Sequence, residues 1–379
     1  MISEIDADER ILKHNLVKHM NNIFQRIVKR QARVYFLILY FSFLGNYIWG
    51  AEPFTTPQIG NEGVSSKDSR SNHVFRAQRV DGKYLLYLNK LILGAEKKGG
   101  PYLSPAQFPN IAIKVKTVHA PGHQVSIELL DALLAFLSGR GFSSDQIMIV
   151  DRDHKSLIRA GFYSTGKKNC FYGKYRTYSS SSSIYFDPEW FHDSPMPPTT
   201  HDRSRLFLDF PKERKKRMEE ERKSYLPGIL FLKDVFWINL SVATDHMNLG
   251  IDGASSNITT GAISNYERFL DKPTLGPAAV TEILAIPEIW EKRIYSILDL
   301  SQYQFANGGQ FDAEFLASHP TLLLSENPIS IDFTALSVLK DIRRKNGFIE
   351  RDETQLLLFK YAKELGLGEM NKVRVFDVF

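Results

Sequence analysis

Residues 111–150 constrain the fold more than any other stretch of this 379-residue chain. Ile111-Ala112-Ile113-Lys114-Val115-Lys116 is a short run of β type. A loop containing His119, Pro121, Gly122 and His123 follows. Ile127, Leu129, Leu130, Leu133, Leu134 and Leu137 then recur at helical spacing until Gly139 and Gly141 stop the helix. Gln146-Ile147-Met148-Ile149-Val150 is a second β run, ending at Asp151. Strand, amphipathic helix and strand within about 40 residues make a βαβ unit. Its crossover is right-handed and its strands are parallel. The chain is therefore expected to be α/β, with a largely parallel or mixed sheet flanked by helices.

The same alternation continues downstream. Strands are expected at Gly228–Leu232, Val235–Leu240, Arg293–Leu298, Leu322–Ser325 and Val373–Val378. Helices are expected at Lys155–Ala160, Ile258–Leu270, Ile331–Arg344 and Thr354–Leu365. Tyr84–Leu93 fits either a strand or a short helix. Residues 162–224 interrupt the pattern with tyrosines, the serine run Ser179–Ser183 and the turn-rich Ser194-Pro195-Met196-Pro197-Pro198. They read as an inserted Tyr/Ser-rich region that ends in a charged, solvated helix near 211–223.

The N-terminal fifty residues form a separate unit of sequence. Residues 34–49, VYFLILYFSFLGNYIW, carry no charge and follow Arg26, Lys29, Arg30 and Arg33. Basic residues before a short apolar core resemble an export signal, and the aromatic end also suits a membrane anchor. The expectation is an exported (periplasmic or extracytoplasmic) or membrane-anchored protein. Membrane association would run through residues 34–49, residues 51–76 would form a linker, and residues 77–379 a single domain. The net charge is +5. Residues 1–33 hold +3 of it, so the body offers no basic footprint for nucleic acid. The single cysteine, Cys170, does not suffice for an iron–sulfur cluster or an internal disulfide.

Ligands of parallel sheets bind beyond the carboxyl ends of the strands. Polar residues after expected strands are therefore the candidates. Asp151 and His246 suit acid–base chemistry. Lys114, in an apolar strand, must pair or reach an opening, and it can meet an anion there; Lys116 shares its parity. His119 and His123 lie in the first βα loop. Gly253–Gly261 is a stretch of small and hydroxyl residues at a helix start. Within it, Asn257, Thr259, Thr260 and Gly261 can hold a phosphate or carboxylate, or Asn257 and Thr259 can simply cap the helix. Asp153 and Asp299 are candidate ligands for a divalent cation such as Mg²⁺ or Mn²⁺; Asp153 can equally cap the next helix. Glu326, Asn327 and Asp332 form a last polar group. Asn239-Leu-Ser and Asn257-Ile-Thr fit a glycosylation pattern but sit at positions expected to be buried.

The segment 235–263, VFWINLSVATDHMNLGIDGASSNITTGAI, resembles the DUF362 family, as do 111–115, 322–343 and Ala362-Lys363-Glu364-Leu365-Gly366-Leu367-Gly368. The resemblance spans most of 105–375. It implies a conserved α/β domain, with no reaction generally assigned. Family members often carry Lys-Asn where this chain has Ser256-Asn257. Some carry a ferredoxin-like cysteine-rich domain that one cysteine cannot supply. Together these readings lead to an enzyme or cofactor-binding protein acting on a small anionic molecule in a cleft at the strand ends. The alternatives are a non-catalytic extracytoplasmic binding protein or an interaction role for 162–224.

Overall fold

The computed structural model describes residues 72–78, 82–163, 171–193, 212–213, 216, 219–220, 222–270, 272–352 and 355–378. The apolar segment 34–49, Cys170 and part of the charged stretch 211–223 lie outside them. Among the described residues no helix is long and apolar enough to cross a membrane.

In chain order the strands are β1 (His73–Gln78), β2 (Asn110–Lys114), β3 (Ile147–Val150), β4 (Phe171–Tyr172), β5 (Tyr175–Tyr178), β6 (Phe186–Asp193), β7 (Lys223–Pro227), β8 (Val235–His246), β9 (Gly250–Asp252), β10 (Arg293–Gln304), β11 (Leu316–Ala317), β12 (Thr321–Ser325) and β13 (Arg374–Asp377). The helices are α1 (Tyr84–Lys97), α2 (Ile127–Gly139), α3 (His154–Arg159), α4 (Ala254–Ile258), α5 (Glu267–Leu270), α6 (Leu275–Leu284), α7 (Pro287–Trp290), α8 (Pro328–Lys345) and α9 (Leu357–Glu364).

The main sheet runs β13-β1-β12-β10-β8-β2-β3-β5-β4, with β9 and β11 as short additions to β8 and β10. Its centre, β10-β8-β2-β3-β5, is parallel, and β12 and β4 are antiparallel to their inner neighbours. The fold is the expected α/β class with a mixed sheet. The centre reads as near-continuous apolar sequence because both faces are covered. One face packs Ile111, Ile113, Ile149, Leu240 and Val242 against α1 and α2. The other packs Ala112, Val150, Trp237 and Leu298 against α6, α8 and α9.

Several elements depart from the sequence expectation. Tyr84–Leu93 is helical, because Tyr84, Leu88, Leu91, Ile92 and Ala95 form one buried stripe. The linker ends before residue 76. His73–Gln78 is a strand held between β12 and β13, with Val74, Phe75 and Ala77 buried. Part of the supposed insertion belongs to the main sheet, since Tyr175–Tyr178 pairs in parallel with β3. The ribbon β6-β7 forms its own two-stranded sheet. Gly228–Leu230 is a 3₁₀ turn rather than a strand. The helix expected over Ile258–Leu270 divides into α4, turns and α5. The hydroxyls of Ser256, Thr259 and Thr260 bond the local backbone there and compete with a continuous helix.

Candidate functional site

From β2 the chain moves through β3 to β5, then returns to lay β8 on the other side of β2. The direction of winding reverses between β2 and β8. Such a reversal opens a crevice at the carboxyl ends of the two strands, where open α/β sheets bind ligands. Lys114 and Lys116 both point into this region from β2 and its continuation, and both are buried.

Lys114 belongs to a closed network. Its Nζ donates to Asp151 Oδ1 at 2.7 Å, Asn257 Oδ1 at 2.8 Å and the Val115 carbonyl at 3.0 Å. An ammonium has three donor hydrogens, and these three acceptors use them. Burial pulls the Lys114 pKa down, against the opposing pull of Asp151. Asp151 also accepts from Thr117 N, Thr117 Oγ1 and Arg152 N. Asn257 Nδ2 donates to Asn239 Oδ1 and the Leu240 carbonyl, and Asn239 donates to the Ala254 carbonyl. Asn239 and Asn257 are buried by these bonds and unavailable to glycosylation.

The 253–261 turn is likewise satisfied from within. Its leading amides, Ala254 N and Ser255 N, donate to the two oxygens of Asp332, as does Ser255 Oγ. Gly253 allows this approach, since a Cβ there would lie 2.3 Å from Asp332 Oδ1. Burial raises the Asp332 carboxyl to about 6 against these three bonds. Thr259 Oγ1 bonds the Ser255 carbonyl, Thr260 Oγ1 the Ser256 carbonyl, and Gly261 N the Ser256 carbonyl. At the expected anion site, Asn257, Thr259, Thr260 and Gly261 spend their polar groups within the chain, and Asp332 takes the amides of Ala254 and Ser255. Thr259 is the C-cap of α4, its backbone N–H donating to the Ser256 carbonyl, while Asn257 lies within the helix.

The cation pair is also corrected. Asp153 caps α3, accepting from Lys155 N and Ser156 Oγ. Asp299 is buried in β10 and accepts from Tyr84 Oη at 2.7 Å. Strands β3 and β10 are separated by β2 and β8, a spacing of about 14 Å at ~4.8 Å per strand, so the two carboxylates cannot share an ion. Asp299 also faces away from Lys114, because Lys114 pairs with Asn239, Asn239 with Ser296, and residue 299 is odd-spaced from 296. Among the described residues no three His, Cys, Asp or Glu side chains are placed to hold a metal.

Lys116 stands in different surroundings. Its Nζ donates to the Asp252 carbonyl at 2.6 Å and the Val242 carbonyl at 3.2 Å, and lies 3.0 Å from Asp252 Oδ2. Burial pushes the Asp252 carboxyl up, but Lys116, the Ser256 hydroxyl and His246 outweigh it and hold the pKa at about 2. Three histidines feel this ion pair. Burial, aided by Lys116, lowers His119 and takes His123 down to about 4. Burial also lowers His246, against Asp252 and Asp245. All three rings are therefore neutral near pH 7. His246 Nδ1 accepts from Asn248 N and Leu249 N, each at 3.2 Å, which assigns its proton to Nε2. His246 does not bond Asp151, so the proposed catalytic pair falls into two networks.

Two buried atoms here have no hydrogen-bond partner among the described residues: His123 Nδ1 and Thr244 Oγ1. His123 Nε2 lies 3.0 Å from the Ala243 carbonyl and so carries the proton, leaving Nδ1 as a bare acceptor. Thr244 stands directly opposite Asp252 in the β8-β9 pair, on the same face. Beside them, Asp245 accepts bidentate bonds from Arg351 at 2.7 and 2.9 Å and lies 3.1 Å from Arg343. Around them lie three cations, Lys116, Arg343 and Arg351, and three carboxylates, Asp245, Asp252 and Asp332.

Sequence reasoning placed His119, His123 and His246 here, but missed Asp252, Thr244 and the arginines. Asp252 directly precedes the small-residue turn and follows a two-residue apolar step. That was the available signal. The arginines lie about a hundred residues away and left none. A groove of about 620 Å³ opens elsewhere, between α1 and α2, lined by Tyr84, Asn89, Glu128 and Asp131. None of the orphaned buried atoms lines it.

No family model matches the chain. No curated protein matches it either. Among solved structures, a Thermotoga maritima protein, a structural-genomics target, matches with a TM-score of 0.38 at 11% identity. The match covers 69% of this chain and 58% of that one, so the chain spans less than two thirds of that protein's length.

Proposed function

We propose that this protein binds and chemically transforms a small anionic ligand at the carboxyl ends of β2 and β8. The observation that carries this reading is the pair of orphaned buried atoms, His123 Nδ1 and Thr244 Oγ1, beside the Lys116–Asp252 ion pair. Buried polar atoms are ordinarily paired, and their exceptions mark a role beyond packing. A ligand acid group would sit against Lys116 and Arg351, sharing them with Asp252 and Asp245. A ligand hydroxyl or N–H would donate to His123 Nδ1. His246 presents Nε2–H as a proton donor, and half-buried His119, neutral near pH 7, serves as proton acceptor. Lys114 and Asp151 hold the floor and touch no ligand.

Thermal unfolding of the purified protein in a panel of organic acids and phosphates tests this. A native-state ligand at a hundred times its Kd stabilises by about 2.7 kcal/mol. His119→Ala and Lys116→Met should abolish the upward shift. Absence of any shift across the panel would overturn the reading. Binding without turnover would favour the non-catalytic binding protein. Membership of the DUF362 family, export through residues 34–49 and a divalent cation held elsewhere than between Asp153 and Asp299 belong to the same proposal; the described residues argue for the ligand site.

A further inference from the structure

The loops that carry the histidines also carry bare apolar side chains. Val118 precedes His119 and is exposed. Met247 follows His246 and is 79% exposed. The ring of Phe311, itself exposed, lies against Gly122, inside the loop closed by the His119–His123 bridge. Ile349 is 87% exposed; with Met247 it is one of the two barest large apolar residues among those described.

Asp245 gathers these loops at one place. Arg351 bonds both Asp245 and the Met247 carbonyl. Arg343 lies against Asp245 and bonds the Ile349 carbonyl. Gly308 passes so close to the Asp245 carbonyl that a Cβ there would overlap it. The apolar residues therefore border the histidine cluster rather than scatter over the surface. Exposed apolar side chains rimming a polar floor are a recognised mark of a binding surface.

Resting on the reading above, we propose that the ligand is an amphiphile: an acidic head group held at the Lys116–His123 floor, with an aliphatic or aryl tail lying across Val118, Met247, Phe311 and Ile349. The floor supplies the cations for the acid group, and a hydroxyl or N–H beside that group would donate to His123 Nδ1. The rim supplies apolar surface that gains by leaving water only if the tail covers it.

The test is a chain-length series of monocarboxylates, acetate to octanoate, below their micellar concentrations, titrated calorimetrically into the full chain. Affinity should rise roughly twofold per methylene, since a fully buried methylene corresponds to about fourfold and the rim covers one side. Met247→Ser with Ile349→Ser should flatten this dependence. Leu85→Ser with Leu86→Ser, at the distant groove, should leave it intact. His119→Ala should weaken every member of the series. If acetate binds through His119 yet octanoate binds no better, the amphiphile is wrong and the head-group site stands. A length dependence that survives the Met247/Ile349 change also overturns the amphiphile. If no acid of any length binds, the amphiphile falls, and if the phosphates of the thermal panel give no shift either, both readings fall.

Discussion

Lys114 and Lys116 are two residues apart on one chain segment, and both are buried, yet their neighbourhoods differ in kind. Around Lys114 every nearby polar group closes on another: Asp151, Thr117, Asn257 and Asn239 form a complete network. Around Lys116 the ion pair with Asp252 is bordered by orphaned His123 Nδ1 and Thr244 Oγ1, and the Asp252 side chain keeps 21% of its exposure. The difference separates two uses of a buried lysine. One locks β2, β3 and α4 together. The other also spends its three donors, on Asp252 and Val242, but stands beside two buried polar atoms that have no partner among the described residues.

The largest effect that can break this comparison is at Lys114. Lys114→Met strands Asp151 in the interior and should cost about 3–5 kcal/mol in chemical denaturation. A cost below about 1 kcal/mol would mean the network is not closed. The next effect is pH dependence. His123 has a folded pKa of about 4 against an unfolded value near 6.5, so the unfolded state binds more protons between those values. This group therefore destabilises as pH falls from 6.5 to 4, by up to about 3 kcal/mol. Asp332 acts oppositely. Its folded pKa of about 6 lies above the ordinary carboxylate value, so its contribution declines as pH rises from about 4 to 6. The wild-type profile should thus be shallow, and His123→Gln should tilt it toward lower stability at pH 6 than at pH 4. Parallel profiles would remove His123 from the account.

Lys116→Met should cost less than its neighbour, about 1–2 kcal/mol, because Asp252 keeps access to water. The same variant should lose ligand-dependent stabilisation, which separates the two lysines by function as well as by stability. The smallest structural effect is at His119. His119→Ala should change stability by less than about 0.5 kcal/mol, as for partly exposed loop positions, while removing the ligand-induced thermal shift.

Legibility varied with the range of the interaction. The βαβ unit at 111–150 was readable because apolar period and glycine stops are local signals. The cap of α3 by Asp153 was readable as an alternative for the same reason. The 253–261 turn was located correctly and misread. Its small residues do permit close approach, but what approaches is Asp332, about 75 residues later in the chain. Asp299 looked like a ligand because it follows a short apolar run, yet β10 extends five residues beyond it and turns its carboxylate toward Tyr84.

Composition and periodicity by themselves determined the class of fold, the parallel strands at its centre and the candidate histidines of the first βα loop. These follow from side-chain spacing along a few residues, which needs no distant partner. Only the tertiary structure decided which lysine is sealed, which carboxylate already fills the turn, and where Arg343 and Arg351 bring their charge. Those outcomes depend on strand order and on contacts between residues far apart in the chain, and neither leaves a periodic trace in the sequence.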